Sequence, residues 1–160
     1  MNITKLQKVS DNMIQAYVDG SYSKVTNKTS GAVAIITDSG EVLKKSFIVQ
    51  TEEGHSWNID GECHAALMAL KIITGEEPIG DEKFESKDIT LNYDYVGIEK
   101  WATNEWSAKS KISRYYVSEY RRLVREYNLN VTFNKIKAHT GDVFNEMVDD
   151  MARVLVDGSN

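Results

Sequence analysis

One cysteine in 160 residues leaves no internal disulfide to be made, so Cys63 reads as a small core residue of a chain suited to a reducing compartment. No apolar run approaches the roughly 18 to 20 residues of a membrane span. Residues 1–15 carry Lys5, Lys8 and Asp11 without an apolar segment, which is not the pattern of a secretory signal. A cytoplasmic protein with no membrane contact is therefore expected. Positive charge is not in excess either: 19 Lys and Arg face 24 Asp and Glu, for a net charge of −5. That balance excludes a protein that coats nucleic acid by bulk positive charge. It still allows a local basic groove, or an acidic site that meets nucleic acid through divalent cations. Proline occurs once, at Pro78, inside an acidic stretch (75–86) that reads as an exposed connection.

What is present fits one globular domain: 41% apolar and 27% charged residues, in a chain too short for two ordinary domains. Residues 1–12 show no period and read as a short extension; 13–160 read as the domain. Alternation predicts a strand over 14–19, with Ala16 and Val18 on one face and Tyr17 and Asp19 on the other, closed by Gly20-Ser21 as a turn-competent exit. A polar loop (21–30) and further strands over 31–36 and 42–50 follow, making an antiparallel meander. Helical spacing of Cys63, Ala66, Leu67, Leu70 and Ile73 predicts a helix over 58–74, with Asn58 or Asp60 as its cap. A strand over 88–94, helices over 96–106 and 113–127, a strand over 129–138 and a helix over 143–156 complete the order βββαβααβα. Tyr116, Tyr120, Leu123 and Val124 share one side of the third helix; Phe144, Met147, Val148, Met151 and Leu155 face inward from the last. There is no internal repeat. Strands joined through helices lie parallel by right-handed crossovers, so the fold class is α/β: a five-stranded mixed sheet with helices on its faces.

Four acids stand out. Asp19 and Asp94 end their strands, Glu62 lies in the first turn of the first helix, and Asp149 in the last helix. Each has an ordinary explanation: Asp-Gly starts turns, Glu62 complements a helix dipole, Asp94 caps the next helix, and Asp149 with Asp150 makes a solvated surface. Jointly they carry more. Neighbouring strands bring Asp19 and Asp94 to one sheet edge, and crowded carboxylates repel unless hard cations with oxygen preference, such as Mg²⁺, sit among them. Two such ions about 4 Å apart can activate a water and stabilise the leaving oxygen of a phosphoryl displacement. His139, in a loop ten positions before Asp149, has a side chain able to shuttle protons near neutrality. Asn145 lies one turn before Asp149 and is placed to orient it or to touch substrate.

These segments together resemble the ribonuclease H family of type 1: Tyr17-Val-Asp-Gly-Ser21, Gly61-Glu-Cys-His-Ala-Ala66, Asn92-Tyr-Asp-Tyr95 with Gly97-Ile-Glu-Lys-Trp101, and Lys137-Ala-His-Thr-Gly141 leading to Asn145-Glu146 and Asp149. The likeness runs over about residues 13 to 156. It implies an endonuclease that hydrolyses the RNA strand of RNA/DNA hybrids with two Mg²⁺ ions, Mn²⁺ being an alternative, and leaves 5′-phosphate and 3′-hydroxyl ends. The implied metal ligands are Asp19, Glu62, Asp94 and Asp149, with Asp19 bridging, and His139 is the implied proton carrier. Asn58, four residues before Glu62, matches a substrate-touching position. Gly20 and Ser21 adjoin the metals, where a residue without a side chain lets the RNA backbone approach. Little base sequence is read when contacts go to 2′-hydroxyls and phosphates. The chain departs from the family in the loop after Asp19, which lacks a glycine-rich run, and in a basic protrusion shortened to about 106–114. There Trp101, Trp106, Lys109 and Lys111 suggest a small stacking and phosphate-binding rim. A monomer without protein partners is expected. Two rival readings are an RNase H-fold nuclease acting on DNA and a non-catalytic nucleic-acid-binding adaptor.

Overall fold

The computed structural model describes residues 13–37, 39–51, 57–137 and 141–157. Its elements are β1 (Ile14–Ser23), β2 (Lys28–Ile36), β3 (Val42–Val49), α1 (Asn58–Thr74), β4 (Asp88–Tyr93), α2 (Gly97–Ala102), α3 (Lys111–Tyr127), β5 (Asn130–Lys135) and α4 (Val143–Val156). They form one five-stranded sheet in the order β3-β2-β1-β4-β5. β1 pairs antiparallel with β2 and parallel with β4, β2 antiparallel with β3, and β4 parallel with β5. The expected mixed sheet and element order are both present.

Strand alternation divides the side chains between two unequal cores. Ile14, Ala16, Val18, Val33, Ile35, Ile89 and Leu91 belong to the larger cluster with Cys63, Leu67 and Leu70 of α1 and Tyr116 and Leu123 of α3. On the other face Ala32 and Ala34 meet Val148 and Ala152 of α4, with Tyr17, Met147 and Met151 packed around them. The alanines of β2 leave room for a helix backbone: Ser30 Oγ donates to the carbonyl of Ala152 at 2.6 Å. Cys63 is a buried free thiol. Among the described residues, no helix is long and apolar enough to cross a membrane.

Several boundaries differ from the expected ones. β1 does not end at Asp19. Gly20 pairs with Gly31 and Ser21 with Ser30, and the expected 21–30 loop shrinks to 24–27. Asn27 closes it in the left-handed region, donating to Ser23 O, while Ser23 Oγ accepts from Val25 and Thr26. The hydrophobic alternation fades where the strand leaves the core, but the backbone ladder does not need it.

α1 takes neither expected side-chain cap. Its cap position is Trp57, at φ 47 and ψ −120, with no side-chain capping bond. α2 stops four residues short of Trp106, because Thr103 closes its last turn and Asn104 turns left-handed. α3 starts two residues early: Ser110 and Ser113 form a reciprocal capping box. The predicted end of β5, Ala138, and the 1–12 extension lie outside the described residues.

Candidate active site

The register between β1 and β4 sets the site. Tyr17 lies opposite Asn92, so two residues further along each strand come Asp19 and Asp94, on the same face by alternation. Beneath them a polar ladder crosses the parallel strands. Asn92 Nδ2 donates to Gln15 Oε1 at 3.0 Å and to Ala16 O at 3.1 Å, and Asn134 Nδ2 donates to Asn92 Oδ1 at 2.7 Å. This ladder was missed in the sequence, although Gln15 and Asn92 sit at matching alternation positions.

α1 delivers the third acid through backbone contact. A Cβ added at Gly20 would stand 2.3 Å from Glu62 N and 2.6 Å from Asn58 O, and one at Gly61 only 2.1 Å from Ser30 O. The absence of both side chains lets the first turn of α1 rest on β1 and β2, so the close neighbour that requires Gly20 is α1. Glu62 Oε2 then accepts the amides of Asp94 and Tyr95, each at 2.8 Å. These amides precede α2, whose N-terminal end favours a nearby negative charge. Carboxylate oxygens of Asp19, Glu62 and Asp94 lie within 4.8 Å of one another. Asp19 is 9% exposed and Glu62 3%, while Asp94 is open to solvent.

Asp149 approaches from α4, on the exposed side, where its charge and a hydrogen-bond contact act on Asp19. It also lies 3.9 Å from Arg153, and it is not a member of the three-acid group. Burial pushes the Asp19 carboxyl up to about 8, reinforced by the charges of Glu62 and Asp149 and opposed by the Gly20 amide, which donates to Oδ1 at 2.9 Å. Burial likewise raises Glu62 to about 7, against the pull of the two amides and of Lys135 on β5. Lys135 was not anticipated. It follows from the pairing of β5 with β4, which sets Lys135 opposite Tyr93.

The donors are all carboxylate oxygens, with no thiol or imidazole among the three. A hard divalent ion of the Mg²⁺ type fits that set, and positive charge there offsets the burial and the added like-charge repulsion that raise Asp19 and Glu62.

The other expected site residues are distributed unevenly. His139 lies outside the described residues. Asn58 is exposed at the start of α1, and Ser21 is half-buried on β1. Asn145 is half-buried in the first turn of α4, where its amide and that of Phe144 donate to the capping Asp142. Trp101 departs from expectation. At 9% exposed it belongs to the larger core, its ring packed against Tyr95 and edge-on to Trp106, so no face of it is offered for stacking. Trp106 is the open ring, at 39%, with Lys109 and Lys111 exposed beyond it. A further exposed ring, Trp57, lies beside Tyr22 with centroids 6.4 Å apart, next in sequence to Asn58.

A family model described as RNase H matches residues 11–156. Ribonuclease H of Caldicellulosiruptor saccharolyticus is 27% identical over 144 residues, covering 88% of this chain and 93% of that protein. Ribonuclease H of Pseudoalteromonas translucida is 30% identical over 149 residues, covering 88% and 87%. Among solved structures, RNase H1 of Halobacterium salinarum superposes with a TM-score of 0.69 at 19% identity, covering 91% of this chain and 98% of that one. A compost-derived RNase H1 solved in complex with an RNA/DNA hybrid gives 0.65 at 18% identity, covering 90% and 96%. At these identities the structural likenesses speak for the fold.

Proposed function

The chain belongs to the RNase H family, and from that membership and the acidic edge we propose that it is an endonuclease hydrolysing the RNA strand of RNA/DNA hybrids. The observation that carries this reading is the convergence of Asp19, Glu62 and Asp94 within 4.8 Å at one edge of the sheet. Asp19, Glu62, Asp94 and Asp149 would hold Mg²⁺, two ions per site with substrate, which would supply Lewis-acid activation of a water and of the leaving oxygen. In the reaction water oxygen bonds to phosphorus and the bond from phosphorus to the 3′ oxygen breaks. The products are a 5′-phosphate and a 3′-hydroxyl, which takes up a proton.

The roles of this chain's residues follow from their settings. Asp19 would be the ligand the ions share, since the charges of both Glu62 and Asp149 act on it. Glu62 is pinned by two amides and therefore holds a fixed orientation. Asp94 and Asp149 complete the oxygen set from the solvent side. His139 carries the proton between water and leaving group. Gly20, Ser21, Asn58 and Asn145 border the cut strand, and Trp106, Lys109 and Lys111 meet the partner strand. Residues 13–160 act as one catalytic domain, working as a cytoplasmic monomer. A hybrid with a labelled RNA strand tests the reading: cleavage in Mg²⁺ or Mn²⁺, with the same RNA alone and a DNA duplex left intact, is expected. Equal cutting of the DNA duplex, or of no substrate, overturns it.

A further inference from the structure

The solvent face of α3 is basic in a protein whose net charge is −5. Arg114, Ser118, Arg121 and Arg125 recur at i, i+4, i+7 and i+11, a single narrow stripe on the side away from buried Tyr116 and Leu123. The three arginines are exposed or nearly so along the helix and line a groove of 360 Å³ floored by Ala108 and Val117. On another flank of this helix Arg122 meets Glu76, Glu119 and Glu126. Among the described residues no carboxylate pairs with Arg114, Arg121 or Arg125; Arg114 donates to the carbonyl of Lys109.

The direction of the stripe selects its ligand. Its Arg114 end adjoins the connection from α2, which follows Asp94, and Tyr116 Oη donates to Ile98 O of that helix at 2.7 Å. Its Arg125 end lies beside the start of β5, where Asn130 pairs with Asp88 at the opposite end of β4 from Asp94. The stripe thus runs about 16 Å down the molecule from the acidic edge. A duplex lying along that edge is stiff over about 150 base pairs and does not turn to follow it. A single strand bends freely and presents one phosphate after another to such a groove.

We propose that the Arg114, Arg121 and Arg125 groove binds the phosphodiester backbone of a single-stranded extension leaving the substrate duplex. This rests on the reading of the acidic edge as a hybrid-cleaving site, and it adds a preference for hybrids that carry an overhang.

Two measurements test it on the full chain. The first is fluorescence anisotropy with a short labelled single-stranded DNA, comparing wild type with the Arg121→Gln, Arg125→Gln double variant. The variant is expected to bind about tenfold more weakly, with a log K against log salt slope shallower by about 1.4, at about 0.7 for each of two phosphates no longer neutralised. The variant's melting temperature is expected to be unchanged, and Arg121→Lys, Arg125→Lys is expected to restore most of the binding. The second compares KM for a blunt hybrid, the same hybrid with a single-stranded overhang, and one lengthened by duplex. The overhang should lower KM in wild type alone, with kcat unaltered. Equal single-strand binding by wild type and variant overturns the proposal and leaves the stripe to an acidic protein partner. An equal KM gain from added duplex overturns the single-strand assignment. Failure to cut any hybrid instead overturns the proposed activity, while the anisotropy result still decides the groove.

Discussion

Glu62 and Asp94 are held together against their charges: the amide of Asp94 donates to Glu62 Oε2 at 2.8 Å while their carboxylates share the same cluster. The bond makes Glu62 both a ligand candidate and the cap on the end of β4, and the two roles separate by substitution. Glu62→Gln keeps an acceptor for the Asp94 and Tyr95 amides but removes the charge. It is expected to lower kcat by at least about a hundredfold with little loss of melting temperature. Glu62→Ala leaves both amides without an acceptor, at about 1–3 kcal/mol for each one that stays buried. Thermal unfolding of the two variants beside their cleavage rates checks the separation.

Raised carboxyls make the metal-free protein sensitive to pH in a defined direction. The folded-state values are about 8 for Asp19 and about 7 for Glu62, above the ordinary 3.8 and 4.5. Protons are therefore held more tightly in the folded state. The stability they contribute is fully present below about pH 4 and is lost as pH rises through 7 to 8. The decline is expected to total about a few kcal/mol, shared between coupled groups. Asp19→Asn should flatten it, and Mg²⁺ should raise the melting temperature more at pH 8 than at pH 5. Urea unfolding across pH, with and without Mg²⁺, reads both effects.

Gly20→Ala places a methyl 2.3 Å from a backbone nitrogen of α1, which has no side-chain freedom to yield. The helix must shift, at about 1–3 kcal/mol or more, and Glu62 moves with it. Lost activity together with lowered stability is expected. A Gly20→Ala protein with wild-type activity and melting temperature contradicts the account of how α1 positions Glu62.

Ser110→Ala removes the acceptor for Ser113 N, 3.1 Å away, and half of the capping box. The expected cost is about 1 kcal/mol of stability. Cleavage of a blunt hybrid should be unchanged at temperatures where the variant is folded.

The alternating strands and the stripe of α1 were legible in the sequence, because burial imposes a period on residues that face a core, and the convergence of Asp19, Glu62 and Asp94 followed from the order of those elements. What was not legible lay where no core imposes one. β1 continues past Asp19 on polar residues whose ladder with β2 is made by the backbone, and a count of apolar positions ends too soon there. Trp101 and Trp106 look equivalent as letters, but Trp101 sits on the buried side of α2 and Trp106 lies past the end of that helix at Ala102, in solvent. The sequence shows that Gly20 has no side chain, but only the fold shows that α1 is the neighbour that uses that space.

The two cores are unequal, and the division has a consequence for local opening. Asp19, Glu62 and Asp94 are carried by elements rooted in the large cluster, whereas Asp149 rides on α4, whose buried anchor is Ala32, Ala34, Val148 and Ala152. Even with Tyr17, Val42, Met147 and Met151 packed around it, this cluster is smaller than the other, so α4 is expected to undock at a lower free energy than the larger core opens. Amide exchange in α4 is therefore expected to be faster than in α1, and how often Asp149 stands beside Asp19 follows how often that helix is seated.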